Sequence, residues 1–183
     1  MNVSCKKDQS IINVVIPNGD FENWDWLQFP QNWKTNSCPP CTPPYEMNIA
    51  QEDSLEVYHG KYSVKLIYNL TPPILGAAPT WLKNKFAITD HPNNLHGYIK
   101  CNIHGTDTVY IGIKLLNRGV TVDEGNWKST VTINNWTLVN IPISQSNSTI
   151  DSALITIIGG KFKDSTTTMT NSTTFWVDNL FLN

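Results

Sequence analysis

Charge is scarce in this sequence. Lys, Arg, Asp and Glu together make up 15% of 183 residues, against about 25% in ordinary globular domains. Arginine is nearly missing, since Arg118 is the only one, and the net charge is −2. No run of Lys and Arg is large enough to neutralise a phosphate backbone, which argues against nucleic acid as the main ligand. No apolar run approaches the ~20 residues that cross a bilayer as a helix, and no stretch keeps helical periodicity for three turns. Phosphate-loop, dinucleotide, nucleophile-elbow and HExxH signatures are absent. The histidines His59, His91, His96 and His104 form no tight ligand set.

Aromatics are plentiful at 10%, with seven Trp. Disorder goes with few aromatics and high net charge, so this chain folds. Its length makes one domain the default and allows about 70% of the unfolded surface to be buried without cross-links. A low-charge surface rich in Asn, Thr and Trp suits an extracellular protein that meets neutral polar ligands.

Alternation with period two dominates the chain. Ile99, Cys101 and Ile103 share one face of a strand, with Tyr98, Lys100, Asn102 and His104 on the other. Val109, Ile111, Ile113 and Leu115 repeat the pattern, as do Val64, Leu66, Tyr68 and Leu70. Val139, Ile141 and Ile143 form another set, and Ala153–Ile158 and Thr174–Leu182 are rich in β-branched and aromatic residues. Gly105-Thr106-Asp107, Glu124-Gly125-Asn126 and Asn134-Asn135 read as turns. Asn36–Pro44, Leu70–Pro79 and Lys163–Ser172 read as loops, because Pro and Thr/Ser/Asn runs cannot supply central strands. Many short strands at even spacing predict an all-β antiparallel sandwich. Residues 1–10 are expected to be a flexible tether and residues 11–183 a single domain.

Cys38-Pro39-Pro40-Cys41 has CxxC spacing, but no helix pattern follows to lower a thiol pKa. No second ligand pair stands at zinc spacing. A local Cys38–Cys41 disulfide is expected, with free thiols or a metal or redox pair as the alternatives. Cys101 points to the core. Val3-Ser4-Cys5 followed by Lys6-Lys7-Asp8 resembles the acylated-cysteine junction of Bacteroidetes-type surface lipoproteins. That resemblance makes Cys5 a candidate lipidation site and the bacterial cell surface the expected location. Only four residues precede Cys5, too few for the charged and apolar parts of a signal peptide.

Asn18-Gly19-Asp20-Phe21-Glu22 puts two carboxylates at i and i+2. Glycoside chemistry would need a facing carboxylate across a cleft, and nothing nearby supplies one. A hard cation asks only for carboxylate and carbonyl oxygens gathered from separate segments. Two further stretches complete a pattern: Tyr58-His59-Gly60-Lys61-Tyr62-Ser63, and Trp176-Val177-Asp178-Asn179-Leu180. With Pro30-Gln31-Asn32-Trp33 and Trp136-Thr137 before Val139, they resemble, in order, the galactose-binding-like jelly rolls. That family includes carbohydrate-binding modules of families 4, 9, 16 and 22. The likeness runs from about Val14 to Asn183.

The resemblance implies a jelly roll whose first and last strands lie side by side. It also implies a structural calcium away from the ligand site. Glu22 and Asp178 would give side chains to that ion, and Asp20, Tyr58 and Lys61 backbone carbonyls. Glycan would be held by aromatic rings that the core does not use. Trp24, Trp33, Trp136 and Trp176 match framework positions, which leaves Trp81, Tyr98, Tyr110 and Trp127. Trp81 lies in a two-faced strand. Tyr98 and Tyr110 are expected on the outward faces of neighbouring strands with Asn102, and Trp127 in a loop beside Arg118. The expected function is non-catalytic binding of an oligo- or polysaccharide by a monomer. The alternatives are an adhesion domain that meets protein and a small glycan-active enzyme using Asp123 or Glu124.

Overall fold

The computed structural model describes residues 14–36, 49–68, 79–160 and 173–183. Cys5, Cys38 and Cys41, with their expected lipid and disulfide, lie outside the described residues, as does most of the three expected loops. Ten strands and no helix occur among the described residues. In chain order they are β1 (Lys34–Thr35), β2 (Ile49–Asp53), β3 (Ser63–Tyr68), β4 (Thr80–Ala87) and β5 (Asn94–Asn102). There follow β6 (Thr108–Asn117), β7 (Val120–Ser129), β8 (Ile133–Pro142), β9 (Ser152–Gly160) and β10 (Thr173–Leu182).

The strands form two antiparallel sheets of five, ordered β1-β4-β9-β6-β7 and β2-β3-β10-β5-β8. This is the expected jelly-roll sandwich. The alternation read from sequence is the packing of the two inner faces. Leu82, Ile155, Ile157, Val109, Ile111, Ile113 and Leu115 stand inward on the first sheet, and Val64, Leu66, Phe175, Val177, Leu95 and Ile99 on the second. All are fully or almost fully buried and belong to one continuous core.

Two expected turns are strand instead. Gly125 of Glu124-Gly125-Asn126 pairs with Ile113 inside β7. Its Cα faces inward, and a Cβ there would run into the Pro142 carbonyl. The glycine marks a close backbone approach rather than a reversal. Asn134 and Asn135 lie within β8, where the register slips between the pairs Ile99–Thr137 and Cys101–Ile133. They occupy a bulge on an edge strand.

The first and last strands do not lie side by side as the resemblance implied. Asn18 and Phe21 take positive φ and bend the expected first strand into a turn, and β1 pairs with β4 in the other sheet from β10. The turn segment still touches β10 through its backbone. The Leu180 amide donates to the Gly19 carbonyl at 2.8 Å, and Asn84 Nδ2 donates to the Pro17 carbonyl at 2.8 Å. Asn179, in a left-handed conformation (φ 48°), sits in the β10 irregularity between Asp178 and Phe181 that makes room for this contact. Phe21 and Trp33 then close that end of the core, their ring centres 5.2 Å apart.

Candidate functional site

The outer face of the first sheet brings two of the expected rings together. Strand register sets Trp81 beside Ile158, Ile158 beside Tyr110, and Tyr110 beside Lys128. The two aromatics are therefore two strands apart, about 10 Å at ordinary strand spacing. The next row along the sheet is Lys34, Lys83, Thr156, Gly112 and Asn126.

Tyr110 lies flat. A Cβ on Gly112 would collide with the Tyr110 hydroxyl and ring, so the phenol covers the glycine two residues on. Burial, and then the nearby Glu124 carboxylate, push its hydroxyl above the ordinary tyrosine pKa. Lys83 Nζ sits 4.7 Å from the centre of the Trp81 ring, a cation–π contact on the same face. The product is a broad sheet surface with two ring platforms, the aliphatic Ile158 between them, and hydroxyl, amide and ammonium groups around them.

The other expected ligand residues are elsewhere. Tyr98 and Tyr110 do not share a face: Tyr98 stands on β5 in the second sheet, on the opposite side of the sandwich. Its ring is stacked under Tyr58, with centres 3.4 Å apart. Asn102 ends the same strand and is exposed. Trp127 is not in a loop. It pairs with Ile111 in β7 and turns inward, its ring 6.4 Å from that of Phe175. Trp127→Ala is therefore expected to cost stability, about 2 kcal/mol for this partly buried ring, and to leave ligand binding intact; urea unfolding and a binding isotherm check both. Arg118 is in the β6–β7 turn at φ 50°, at the other end of β6 from Tyr110.

Trp136 and Trp176, expected in the framework, are on the outer face of the second sheet. Trp176 Nε1 donates to Asp53 Oδ2 at 3.0 Å, with Lys65 and Lys100 over its ring at 5.4 and 5.5 Å. Those lysines are themselves paired, Lys65 with Asp53 at 3.4 Å and Lys100 with Glu56 at 2.7 Å. This network pins the loop after β2 down onto the sheet.

Glu22 and Asp178 both grip the loop that precedes β3. Glu22 Oε1 accepts the amides of Lys61 and Tyr62 at 2.8 and 3.1 Å. Asp178 Oδ2 accepts those of Tyr58 and His59 at 2.9 and 3.0 Å. Gly60, at φ 79°, leaves the space that Glu22 fills. Asp178 is fully buried, and its Oδ1 has no partner. Burial pushes its carboxyl above the ordinary value despite the amides, and Glu22 adds to the rise. An orphaned, desolvated carboxylate oxygen beside a second carboxylate fits a hard cation. No group of three or more His, Cys, Asp or Glu side chains gathers among the described residues, so further oxygens would have to be backbone carbonyls. Asp20 is exposed.

The carboxylates weighed for catalysis do not pair. Asp123 is buried, whereas Glu124 projects from the outer face 3.9 Å from Lys114. Asp123 Oδ1 accepts from Ser144 Oγ at 3.1 Å, and Oδ2 from Ser146 Oγ at 2.7 Å. His91 Nε2 is 3.0 Å from Oδ2. Burial alone would raise the Asp123 pKa, but the serine hydrogen bonds, and then His91, hold it below the ordinary carboxylate range. Both hydroxyls serve the carboxylate and neither serves the imidazole, so neither is arranged as an activated nucleophile.

What sequence reasoning missed is the lysine set Lys34, Lys83 and Lys128, with Gly112. The signal was present in Trp81-Leu82-Lys83-Asn84-Lys85, whose alternation puts Trp and Lys on one side.

No family model matches the sequence, and no curated protein is significantly similar to it. Solved structures do match. The enzymatically active domain of bacteriophage CBA120 tailspike protein 4 aligns with 92% of this chain at TM-score 0.57 and 13% identity. A carbohydrate-binding module of the β-sandwich superfamily, described as promiscuous in specificity, aligns with 91% at TM-score 0.52 and 9% identity. This chain spans 21% of the tailspike chain and 61% of that module's chain. The CBM22-1 xylan-binding domain of Paenibacillus barcinonensis Xyn10C aligns over 90% of both chains at TM-score 0.50 and 12% identity. The fold is thus the β-sandwich jelly roll of carbohydrate-binding modules.

Proposed function

We propose that this chain is a non-catalytic carbohydrate-binding module. Its ligand is an oligo- or polysaccharide laid across the outer face of the first sheet, with sugar rings stacked on Trp81 and Tyr110. The observation that carries the reading is the flat Tyr110 ring over Gly112, in register with Trp81 two strands away. The C–H face of a pyranose is apolar and its rim is hydroxylated, which suits a ring platform bordered by Thr156 and Asn126. The split of Asp123 and Glu124 onto opposite faces of β7 supports the non-catalytic part. A glycan array tests the reading: at least one polysaccharide class is expected to bind above background, and no binder on a broad array would refute it.

Gly112→Val is expected to lift the Tyr110 ring off the sheet and weaken polysaccharide binding as much as Tyr110→Ala does. Affinity electrophoresis of the two variants side by side reads this out. Unchanged binding by Gly112→Val would show that the flat ring is not the platform.

A calcium ion would be held by the Glu22 and Asp178 side chains and the Asp20, Tyr58 and Lys61 carbonyls. Its role would be to neutralise the buried carboxylate and fasten the loop before β3 to β10. Export to the cell surface with lipid on Cys5 would place the binding face where polysaccharide is met, and a monomer suffices for that role.

A further inference from the structure

We infer that the polysaccharide bound by the Trp81–Tyr110 face is anionic; this rests on the glycan-binding reading of that face and narrows it. The low overall charge had pointed to a neutral ligand, but folding distributes the charge unevenly. Lys34, Lys83, Lys85, Lys114 and Lys128 all project, exposed, from the outer face of the first sheet. Two carboxylates answer them among the described residues. Glu124 lies 3.9 Å from Lys114, and Asp151 is close enough to Lys85 to feel its charge. Lys34, Lys83 and Lys128 flank the two rings and have no carboxylate within ion-pair distance among the described residues.

The contrast with the opposite face is sharp. There Lys65 and Lys100 are each matched to a carboxylate across 3.4 and 2.7 Å. On the ring face, Lys34 stands directly across the ladder from Lys83, and like charges in that position destabilise a sheet. An ammonium pair left unmatched beside aromatic platforms is a surface that an anionic ligand completes. The geometry also suits such a ligand. A sugar stacked flat on Trp81 or Tyr110 directs its substituents sideways, toward Lys83 in the next row and Lys128 on the neighbouring strand. Carboxylate or sulfate groups on the ring would meet them there.

A single-stranded nucleic acid also combines rings with negative charge. The face carries no arginine fork for bidentate phosphate contact, since the sole arginine sits in the β6–β7 turn. The observations favour polysaccharide.

The test compares four polymers by affinity electrophoresis or calorimetry. They are polygalacturonate, its fully methyl-esterified form, a sulfated galactan and the matching neutral galactan, with a single-stranded oligonucleotide as a fifth arm. The expected result is that one charged polymer binds about tenfold or more tighter than its uncharged counterpart, as three flanking charges together allow. That binding should weaken as salt is raised. The triple variant Lys34→Gln, Lys83→Gln, Lys128→Gln should lose both the preference and the salt dependence, with an unchanged melting temperature as the folding control. Whether polygalacturonate or the sulfated polymer is preferred identifies carboxylate or sulfate as the group recognised. Equal or tighter binding of the uncharged polymers would overturn this inference and leave the glycan-binding reading standing. Binding of none of the four polymers would overturn this inference, the broad glycan array then deciding the glycan-binding reading by itself. Tighter binding of the oligonucleotide than of any polysaccharide would overturn both.

Discussion

Trp81→Ala should lower polysaccharide affinity by about thirtyfold, or about 2 kcal/mol, with the melting temperature little changed. The magnitude follows from where the ring stands. Trp81 projects outward from a strand whose inward neighbour Leu82 is fully buried, so the core does not depend on it. A large rigid ring loses little conformational entropy when it is covered, and gives apolar area to a sugar face in return. Tyr110→Ala removes the second platform, but it also uncovers Gly112 and takes away a partly buried phenol. Its binding loss should be comparable and its stability loss larger. The double variant should show no measurable binding by calorimetry. If Trp81→Ala binds as tightly as the parent chain while Tyr98→Ala or Trp136→Ala does not, the ligand belongs on the other sheet.

Calcium should raise the melting temperature by roughly 5–10 °C when present at a hundredfold excess over its Kd. Such an excess stabilises the folded state by about 2.7 kcal/mol, and a domain of this length shifts by roughly 2–4 °C per kcal/mol. The physical origin is the Asp178 carboxyl. Its folded pKa is raised above the ordinary value of 3.8, chiefly by burial. The metal-free fold therefore gains stability from a protonated Asp178 at acid pH, and that gain is lost as pH rises through the folded pKa. At neutral pH the buried charge is a penalty, which a bound cation cancels. The calcium-induced shift should accordingly be larger at pH 7 than near pH 4, and Asp178→Asn should abolish it. Scanning calorimetry with calcium and with EDTA decides the matter. A melting temperature indifferent to both, at neutral pH, would rule out the ion.

Much of the architecture was legible in the sequence because burial in a sandwich writes itself as period-two alternation. The inward faces around Ile99, Ile111 and Ile141, and Val64, Leu66 and Tyr68 of the set around Leu66, were read correctly on that basis, Leu70 lying outside the described residues. What failed was information that alternation does not carry. Tyr98 and Tyr110 both point outward, as expected, but alternation says nothing about which sheet a strand joins. The short connection Ile103–Asp107 between β5 and β6 reads like a hairpin link between neighbours, yet here it passes from the second sheet to the first. Trp127 was misplaced because Gly125 resembles a turn residue, whereas it is a strand glycine where the backbone of the facing sheet comes close.

The pair Glu22 and Asp178 was found through its likeness to known sequences; burial and the unpartnered oxygen of Asp178 became visible only in three dimensions. The carboxylate of Asn23-Trp24-Asp25-Trp26 has a plain structural role. Asp25 Oδ1 accepts the amides of Leu27 and Phe29, both at 2.9 Å, and so builds the turn on which Trp26 stands 88% exposed. The lysine set was legible one residue at a time. Its convergence beside Trp81 and Tyr110 depends on long-range strand register, which a single sequence does not display.

The most direct measurement of the central claim is chemical-shift mapping of the isotopically labelled protein, titrated with an oligosaccharide that binds. The Trp81 indole N–H and the amides of Tyr110, Gly112, Thr156, Asn126 and Ile158 should shift together and saturate with a single affinity. The Trp136 and Trp176 indoles and the Tyr98 amide should stay still. Shifts confined to the Tyr58–Tyr98–Trp136 side of the sandwich, or to the loops at its ends, would contradict the account.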